Sequence, residues 1–363
     1  MRNANFALQF EAMEAKSNRT ELEEFGEFGL IQHLTQNIQL RQPSTKKGVG
    51  DDAAVLDYEG LQTVVTTDML VEKVHFDLMY APLKHLGYKA IAVNLSDIYA
   101  MNATPSQVTV SLAISNRFSV EALEELYSGM LKACEIYGVD LVGGDTTTSP
   151  SGMVISVTAM GTANPEELVY RHTARSGDLL CVSGDLGAAY LGLQILEREK
   201  QIFRENSSVQ PDLEGKDYLL ERQLKPEARR EVIAELKNAG IKPTAMIDIS
   251  DGLASEAIHL ARNSKLGVNI FEDKIPIDPL AVNQSEEFGM DPTVVALNGG
   301  EDYELLFTVA QSDFEQLKSL PHISIIGHMK GEDEGYHIIG NNGSQITLQA
   351  QGWDAFLKRE QGY

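Results

Sequence analysis

The sequence predicts a two-domain α/β (α+β) protein. Three observations carry this: strand-like and helix-like segments alternate in both halves, the apolar patterning lapses once near the middle, and 363 residues suffice for two cores. Residues 1–20 read as an N-terminal extension. Thr20 and Glu23 then form a capping-box pattern that opens a helix with Phe25, Phe28, Ile31 and Leu34 on one side. AAVLD and TVVTTDML follow as strands, each beside aspartates. Residues 83–103 have helical periodicity, with Asn94, Asp97 and Met101 along one line. QVTVSLAIS alternates with period two, so Val108, Val110, Leu112 and Ile114 share a buried face. A helix from Val120 to Tyr137 and the strands VDLV and MVISVTAMG complete a first domain, residues 21–165.

The lapse runs from Asn164 to Ser176, across Pro165, Glu166, Glu167, His172 and Arg175, and marks the boundary to a second domain, residues 176–363. There DLLCVSGD is a strand running into a turn, AAYLGLQILERE an amphipathic helix, and residues 201–216 a polar surface excursion. AMIDIS reads as a strand, GLASEAIHLARN as a helix, and GVNIF, TVVAL, YELLFTV and ISIIGHM as further strands.

Composition narrows the function. The net charge of -23, from 53 acidic against 30 basic residues, argues against nucleic-acid or acidic-membrane partners, whose phosphates demand a basic surface. An acidic chain can still act on phosphates if divalent cations bridge its carboxylates to them. No run approaches 18 apolar residues and the first 20 carry no signal-peptide core, so a cytoplasmic protein is expected. Cys134 and Cys181 have neither CxxC spacing nor a zinc set around them, and are expected to be reduced, buried and inert.

The chemistry-bearing residues gather in short segments. GVGDDAA (Gly48 to Ala54), TTDML (Thr66 to Leu70), VGGDTTT (Val142 to Thr148) and DISDG (Asp248 to Gly252) place carboxylates at turns, and NLSD (Asn94 to Asp97) places one in a helix. Singly, each is more often a turn than a site. GVGDDA lacks the third glycine of a dinucleotide fingerprint, and DISDG breaks the ligand spacing of a calcium loop. Together they supply the hard oxygen donors of a Mg²⁺ cluster, and burying so many like charges without a cation is unfavourable. GxxxxGK[ST], HRD and DFG are all missing, which excludes P-loop and protein-kinase machinery.

GVGDDAA, TTDMLVEKVHF, KAIAVNLSDIYAM, VGGDTTT, the Arg171 to Asp178 turn, DISDGL and NGGEDYELLF stand in an order and spacing that resembles the thiamine-monophosphate kinase family, from about Phe25 to Phe356. The chain departs from that pattern at Lys73, where the family usually has glycine, in its N-terminal extension and at 201–216. The resemblance implies a superfamily shared with aminoimidazole ribonucleotide synthetase and selenophosphate synthetase, with an ATP- and Mg²⁺-binding N-terminal domain that pairs into a homodimer. It implies that Asp52, Thr66, Thr67, Asp68, Asp97, Asp145, Asp248 and Asp251 hold magnesium. ATP would meet Tyr127, Gly144, Asp145, Arg171 and Ser250, and thiamine monophosphate would meet His75, Glu301 and Trp353. Read bare, Tyr127 is a core residue, Arg171 an exposed hinge charge, His75 a structural histidine and Trp353 a terminal anchor. No general base is expected, because the acceptor is already a phosphate monoester. Two rivals stay open: a sister synthetase, against which the lack of any cysteine before Cys134 counts, and a catalytically silent nucleotide-binding protein.

Overall fold

The computed structural model describes residues 20, 33–47, 55, 56 and 60–350. Helices and sheets are mixed throughout, around one four-stranded and one seven-stranded sheet. The four-stranded sheet follows a small β1 (Thr45–Lys47) and β2 (Val55–Leu56) pair. It contains β3 (Gln62–Val71), β4 (Thr104–Ile114), β5 (Asp140–Thr148) and β6 (Val154–Ala163), in the order β3-β6-β4-β5. Helices α1 (Leu83–Ala100) and α2 (Val120–Tyr137) cover one face. Ser119 caps α2, its side chain accepting the Ala122 N–H, and Gly138 ends it in a left-handed turn.

α1 is apolar almost all round because it is buried almost all round, with its side chains from Leu86 to Ser96 out of solvent. It meets α2 at two glycines. A Cβ on Gly87 would come within 1.9 Å of the Leu126 carbonyl oxygen, and one on Gly129 within 1.8 Å of that of Lys84. Any side chain at either position would force the helices apart. Leu34, the one described residue of the apolar side expected at Phe25, Phe28, Ile31 and Leu34, is buried in this same core. Among the described residues no helix covers the other face of the sheet: Val65 and Met69 on β3 are 60% and 54% exposed.

The seven-stranded sheet contains β7 (Leu179–Ser183), β8 (Ala245–Asp248), β9 (Gly267–Phe271), β10 (Leu305–Val309), β11 (Ile323–Lys330), β12 (Tyr336–Ile339) and β13 (Gln345–Thr347), in the order β13-β12-β9-β11-β7-β10-β8. Around it lie α3 (Ala188–Glu205), α4 (Asp217–Leu224), α5 (Arg230–Asn238), α6 (Leu253–Asn263), α7 (Pro279–Glu287) and α8 (Pro292–Asn298). The C-terminal end of α1 joins this part, since Ala100 packs in one cluster with Cys181, Met246 and Phe307. Cys134 and Cys181 are buried free thiols, and burial pushes the Cys134 thiol up to about 12.

Three local expectations are corrected. TVVAL is not a strand but most of α8: Pro292 sits at its first turn and the Asp291 side chain accepts the N–H groups of Thr293 and Val294, so capping overrides the β-branched run. VGGDTTT is not a turn but most of β5, while TTDML, placed at a turn and also read as part of the strand TVVTTDML, lies within β3 as the strand reading had it. A Cβ on Gly144 would stand 1.8 Å from the Val110 carbonyl oxygen, so the glycine lets β5 lie against β4. The polar stretch 201–216 is helical up to Glu205 and an exposed loop only after it.

The Lys73 departure has a backbone consequence. Lys73 lies at φ 71°, the left-handed region that glycine enters freely. In compensation its Nζ donates to Asp77 Oδ1 at 2.6 Å, and Lys200 from α3 reaches Asp77 Oδ2 at 3.1 Å. Burial raises the Asp77 carboxyl, but the bonds from Lys73, the Met79 N–H and Lys200 outweigh it and hold it at about 2. A loop that glycine would leave supple is fastened to α3.

Candidate active site

A cleft of about 1330 Å³ runs between the two sheets. One end is acidic. Thr66 and Asp68 alternate along β3 with side chains toward α1, where Thr66 Oγ1 donates to Asp97 Oδ2 at 2.6 Å and Asn94 Oδ1 accepts the Asp68 N–H at 3.0 Å. Asn94 and Asp97 are one helical turn apart, so a single stripe of α1 faces two successive inward positions of β3. From the other sheet Asp248 ends β8, fully buried, with Ser96 Oγ donating to its Oδ2 at 2.7 Å. Ser250 and Asp251 continue that turn into α6 and also line the cleft. Beneath them Glu256 Oε1 accepts the Asp251 N–H at 3.3 Å, and burial, then the Asp251 charge, pushes Glu256 up to about 8.

The acidic end is electrostatically unsatisfied by protein alone. Burial first and Asp97 second push the Asp68 carboxyl up to about 6. The same two causes raise Asp248 to about 7, and the Ser96 hydrogen bond and then Arg171 only partly oppose them. Among the described residues no three His, Cys, Asp or Glu side chains close round a single metal position. The set of hydroxyl and crowded carboxylate oxygens nevertheless fits Mg²⁺, which takes one or two carboxylates and completes its shell with water and phosphate.

These shifts set a pH dependence. A carboxyl whose folded pKa is raised makes its stabilising contribution below the unfolded value near 4 and loses it as pH rises through the folded value. Metal-free protein is therefore expected to lose thermal stability from about pH 4 to about pH 7, by several degrees in Tm. Mg²⁺ should restore it, with a larger upward shift at pH 8 than at pH 5. Differential scanning calorimetry with and without the metal checks this, and a shift independent of pH would contradict it.

Away from the acidic end stand His75 and Glu301, beside Lys89 two turns back along α1, with Tyr303 between them and the acidic group. His75 Nδ1 accepts the Val71 N–H at 3.0 Å, which places any proton of the neutral ring on Nε2, and burial lowers its pKa. Glu301 and Tyr303 lie at φ 59° and 51°, rare for non-glycine residues. The turn is held because Glu301 N donates to Ser250 O at 2.7 Å and Tyr303 N to Ile249 O at 2.8 Å, so NGGED and DISDG are zipped together. Lys89 of α1, 4% exposed, donates to Glu301 Oε2 at 2.9 Å. Asp97 also walls a second cavity of about 510 Å³, lined by Thr66, Arg171 and His172.

The structure thus gathers Thr66, Asp68, Asp97, Asp248, Ser250 and Asp251 at one end of the cleft, with Arg171 across Asp97 and with His75 and Glu301 away from them. It does not gather the rest. The Thr67 side chain is on the opposite face of β3 and donates to Val157 O at 3.0 Å. Asp145 is in register with Ser111 on that face, three strands from β3 and hence about 14 Å away. Gly144 is beside it. Tyr127 is in the core under α2, where burial pushes its phenol up to about 12. Asp52 and Trp353 lie outside the described residues. Sequence reading missed Lys89, Tyr303, Gln223 and Glu256. Only the apolar surroundings of Lys89, in the middle of a buried helix, could have drawn notice.

Residues 50–163 match the AIR synthase related protein N-terminal domain, and residues 175–340 match the corresponding C-terminal domain. The thiamine-monophosphate kinase of Bacillus subtilis is 34% identical over 340 residues, 91% of this chain and 99% of that protein. The chain belongs to the thiamine-monophosphate kinase family. That of Aquifex aeolicus is 34% identical over 92% of this chain and 99% of its own length, and that of Escherichia coli K12 33% over 91% and 98%. Among solved structures, AaThiL complexed with AMPPCP and TMP superposes with a TM-score of 0.72 at 33% identity, covering 94% of this chain and all of that one. Hydrogenase maturation protein HypE in complex with ATP, 20% identical with a TM-score of 0.69, shares the fold. The chain is a thiamine-phosphate kinase, a phosphotransferase with a phosphate group as acceptor, and among its described residues no helix is long and apolar enough to cross a membrane.

Proposed function

We propose that the chain transfers the γ-phosphoryl group of ATP directly to the phosphate of thiamine monophosphate, giving thiamine diphosphate, in the cytoplasm. The observation that carries this is the polarity of the cleft: crowded carboxylates at one end and Glu301 with His75 away from them. Two polyanions can meet at the acidic end only with divalent cations between. Thr66, Asp68, Asp97, Asp248 and Asp251 are the residues assigned to Mg²⁺ at that end, whereas Thr67 and Asp145 face the other side of the sheet. Bound there, Mg²⁺ supplies charge neutralisation for the phosphates.

The chain's own part is positioning. Arg171, with Ser250, is assigned to ATP, and its planar fork suits a phosphate clamp across the Asp97 ridge. Glu301 sets a negative charge toward the cationic thiazolium. His75 offers an Nε2 donor, and Trp353 is assigned to the aromatic wall. The acceptor oxygen carries no proton to remove, so orientation and exclusion of water suffice and no general base is required. The face carrying Val65, Met69 and Asp145 is assigned to homodimer pairing, which would bury apolar surface that a monomer leaves wet.

The test is stereochemical. With chirally labelled γ-phosphate and Mg²⁺ the thiamine diphosphate formed is expected to show inversion at phosphorus. Net retention would reveal a phosphoenzyme and overturn direct transfer, and absence of thiamine diphosphate would overturn the substrate assignment.

A further inference from the structure

The thiamine end of the cleft holds a hydrogen-bond acceptor to which the protein gives no donor. Gln223, near the end of α4, lines the cleft and is 4% exposed. Its Nε2 donates to Glu301 Oε2 at 2.7 Å, which fixes the amide orientation, since Oε1 turned toward that carboxylate would find no proton there. Lys89 does not serve it: its Nζ donates to the same Glu301 oxygen and to the Gln223 main-chain carbonyl, both at 2.9 Å, and makes no bond to Oε1. Gln223 Oε1 is left buried with no hydrogen-bond partner. A buried polar atom is costly unpaired, so a site that keeps one is complementary to a donor that arrives with its ligand.

We propose that Gln223 is a specificity-determining residue whose Oε1 accepts a hydrogen bond from the exocyclic amino group of the substrate's aminopyrimidine ring. This rests on the reading that thiamine monophosphate is the acceptor. The chemistry separates substrate from near-isosteres. An amino group at that ring position donates, a hydrogen there gives the acceptor nothing, and a carbonyl sets lone pair against lone pair. Sites built round a buried hydrogen bond discriminate far more sharply than apolar pockets, because the wrong ligand leaves the protein's polar atom unpaired. The arrangement also ties recognition to geometry, since the amide that reads the ring braces Glu301 with its other end.

The experiment compares kcat/KM for thiamine monophosphate with that for its 4-oxo and 4-deamino analogues, in the wild type and in Gln223→Met, which keeps the side-chain length and removes the amide. The wild type is expected to favour the amino substrate over the 4-oxo analogue by about 100-fold or more, and Gln223→Met to compress that preference below about ten-fold. The change should appear mainly in KM for the thiamine substrate, with KM for ATP unmoved. An unaltered preference in the variant overturns the proposal and assigns the acceptor to water. Should Gln223→Met not fold, the wild type alone decides, because equal KM for the amino and 4-deamino substrates also overturns it. A wild type inactive on thiamine monophosphate itself sinks the substrate reading, and the proposal with it, whereas an active wild type with no discrimination sinks the proposal alone.

Discussion

Asp97→Asn is expected to lower kcat by about a thousand-fold or more while leaving the fold intact. Asp97 projects from α1 to the point where β3, the acidic end of the cleft and the cavity beneath Arg171 meet. An amide of the same shape can still accept from Thr66 Oγ1, so packing survives, but it loses the charge that attracts a divalent cation. The charge it removes is also a cause of the raised pKa values of Asp68 and Asp248. The metal-free variant should therefore melt higher than the metal-free wild type near pH 7, and gain less from Mg²⁺. Steady-state kinetics with circular dichroism and thermal melts measures both. Near-normal kcat would remove Asp97 from the catalytic set, and a lower melting point would contradict the electrostatic account.

Arg222→Met should have the largest effect on stability. The turn 301–304 alternates: Glu301 and Tyr303 face the cleft in left-handed conformations, while Asp302 and Glu304 point inward with fully buried side chains. Arg222 holds that inner side, its Nη1 donating to Glu304 Oε1 at 2.8 Å and its Nη2 to Asp185 O at 2.9 Å, with Asp302 Oδ1 3.8 Å away. Ser183 and Arg229 also serve Glu304, each at 2.5 Å. Removing one member of a buried ion network leaves charge uncompensated and costs about 3–5 kcal/mol, the lower part of the range applying because Arg229 remains. A fall of about 10 °C in Tm follows for a unit of this size. Burial raises the Glu304 carboxyl, and Arg229 and Arg222 bring it below its usual range, so the wild type's gain from this pair is present at neutral pH and lost as pH falls. The penalty of Arg222→Met should accordingly shrink towards pH 4. A melting point within 2 °C of the wild type at pH 7.5, measured by about the same calorimetric protocol, would show the turn to be held by other means.

How much of this was legible in the sequence follows from the range of the interactions. The strand reading of TVVTTDML carries Thr66 and Asp68 to one face by strand geometry, and helical spacing aligned Asn94 with Asp97, so half of the acidic end could be read from local pattern. The same period set Thr67 on the opposite face, a signal that the clustering of oxygen donors in TTD obscured. GGDTTT was misread because glycine and threonine hydroxyls resemble a turn, whereas the close approach of β5 to Val110 makes the glycine a requirement of strand pairing. TVVAL was misread because β-branched residues outweighed an Asp-Pro cap. Lys89 and Glu301 are 212 positions apart, and Gln223 joins them from a third element. No local pattern encodes such a convergence, which exists only once both sheets close on the cleft.

The central claim is that Asp68, Asp97 and Asp248 join donor and acceptor phosphates through a divalent cation. Pulsed electron paramagnetic resonance with Mn²⁺ in place of Mg²⁺, a non-hydrolysable ATP analogue and thiamine monophosphate tests it most directly. The account predicts ³¹P hyperfine couplings from both the nucleotide and the thiamine phosphate, lost in Asp97→Asn. Couplings from the nucleotide alone at saturating thiamine monophosphate would contradict it.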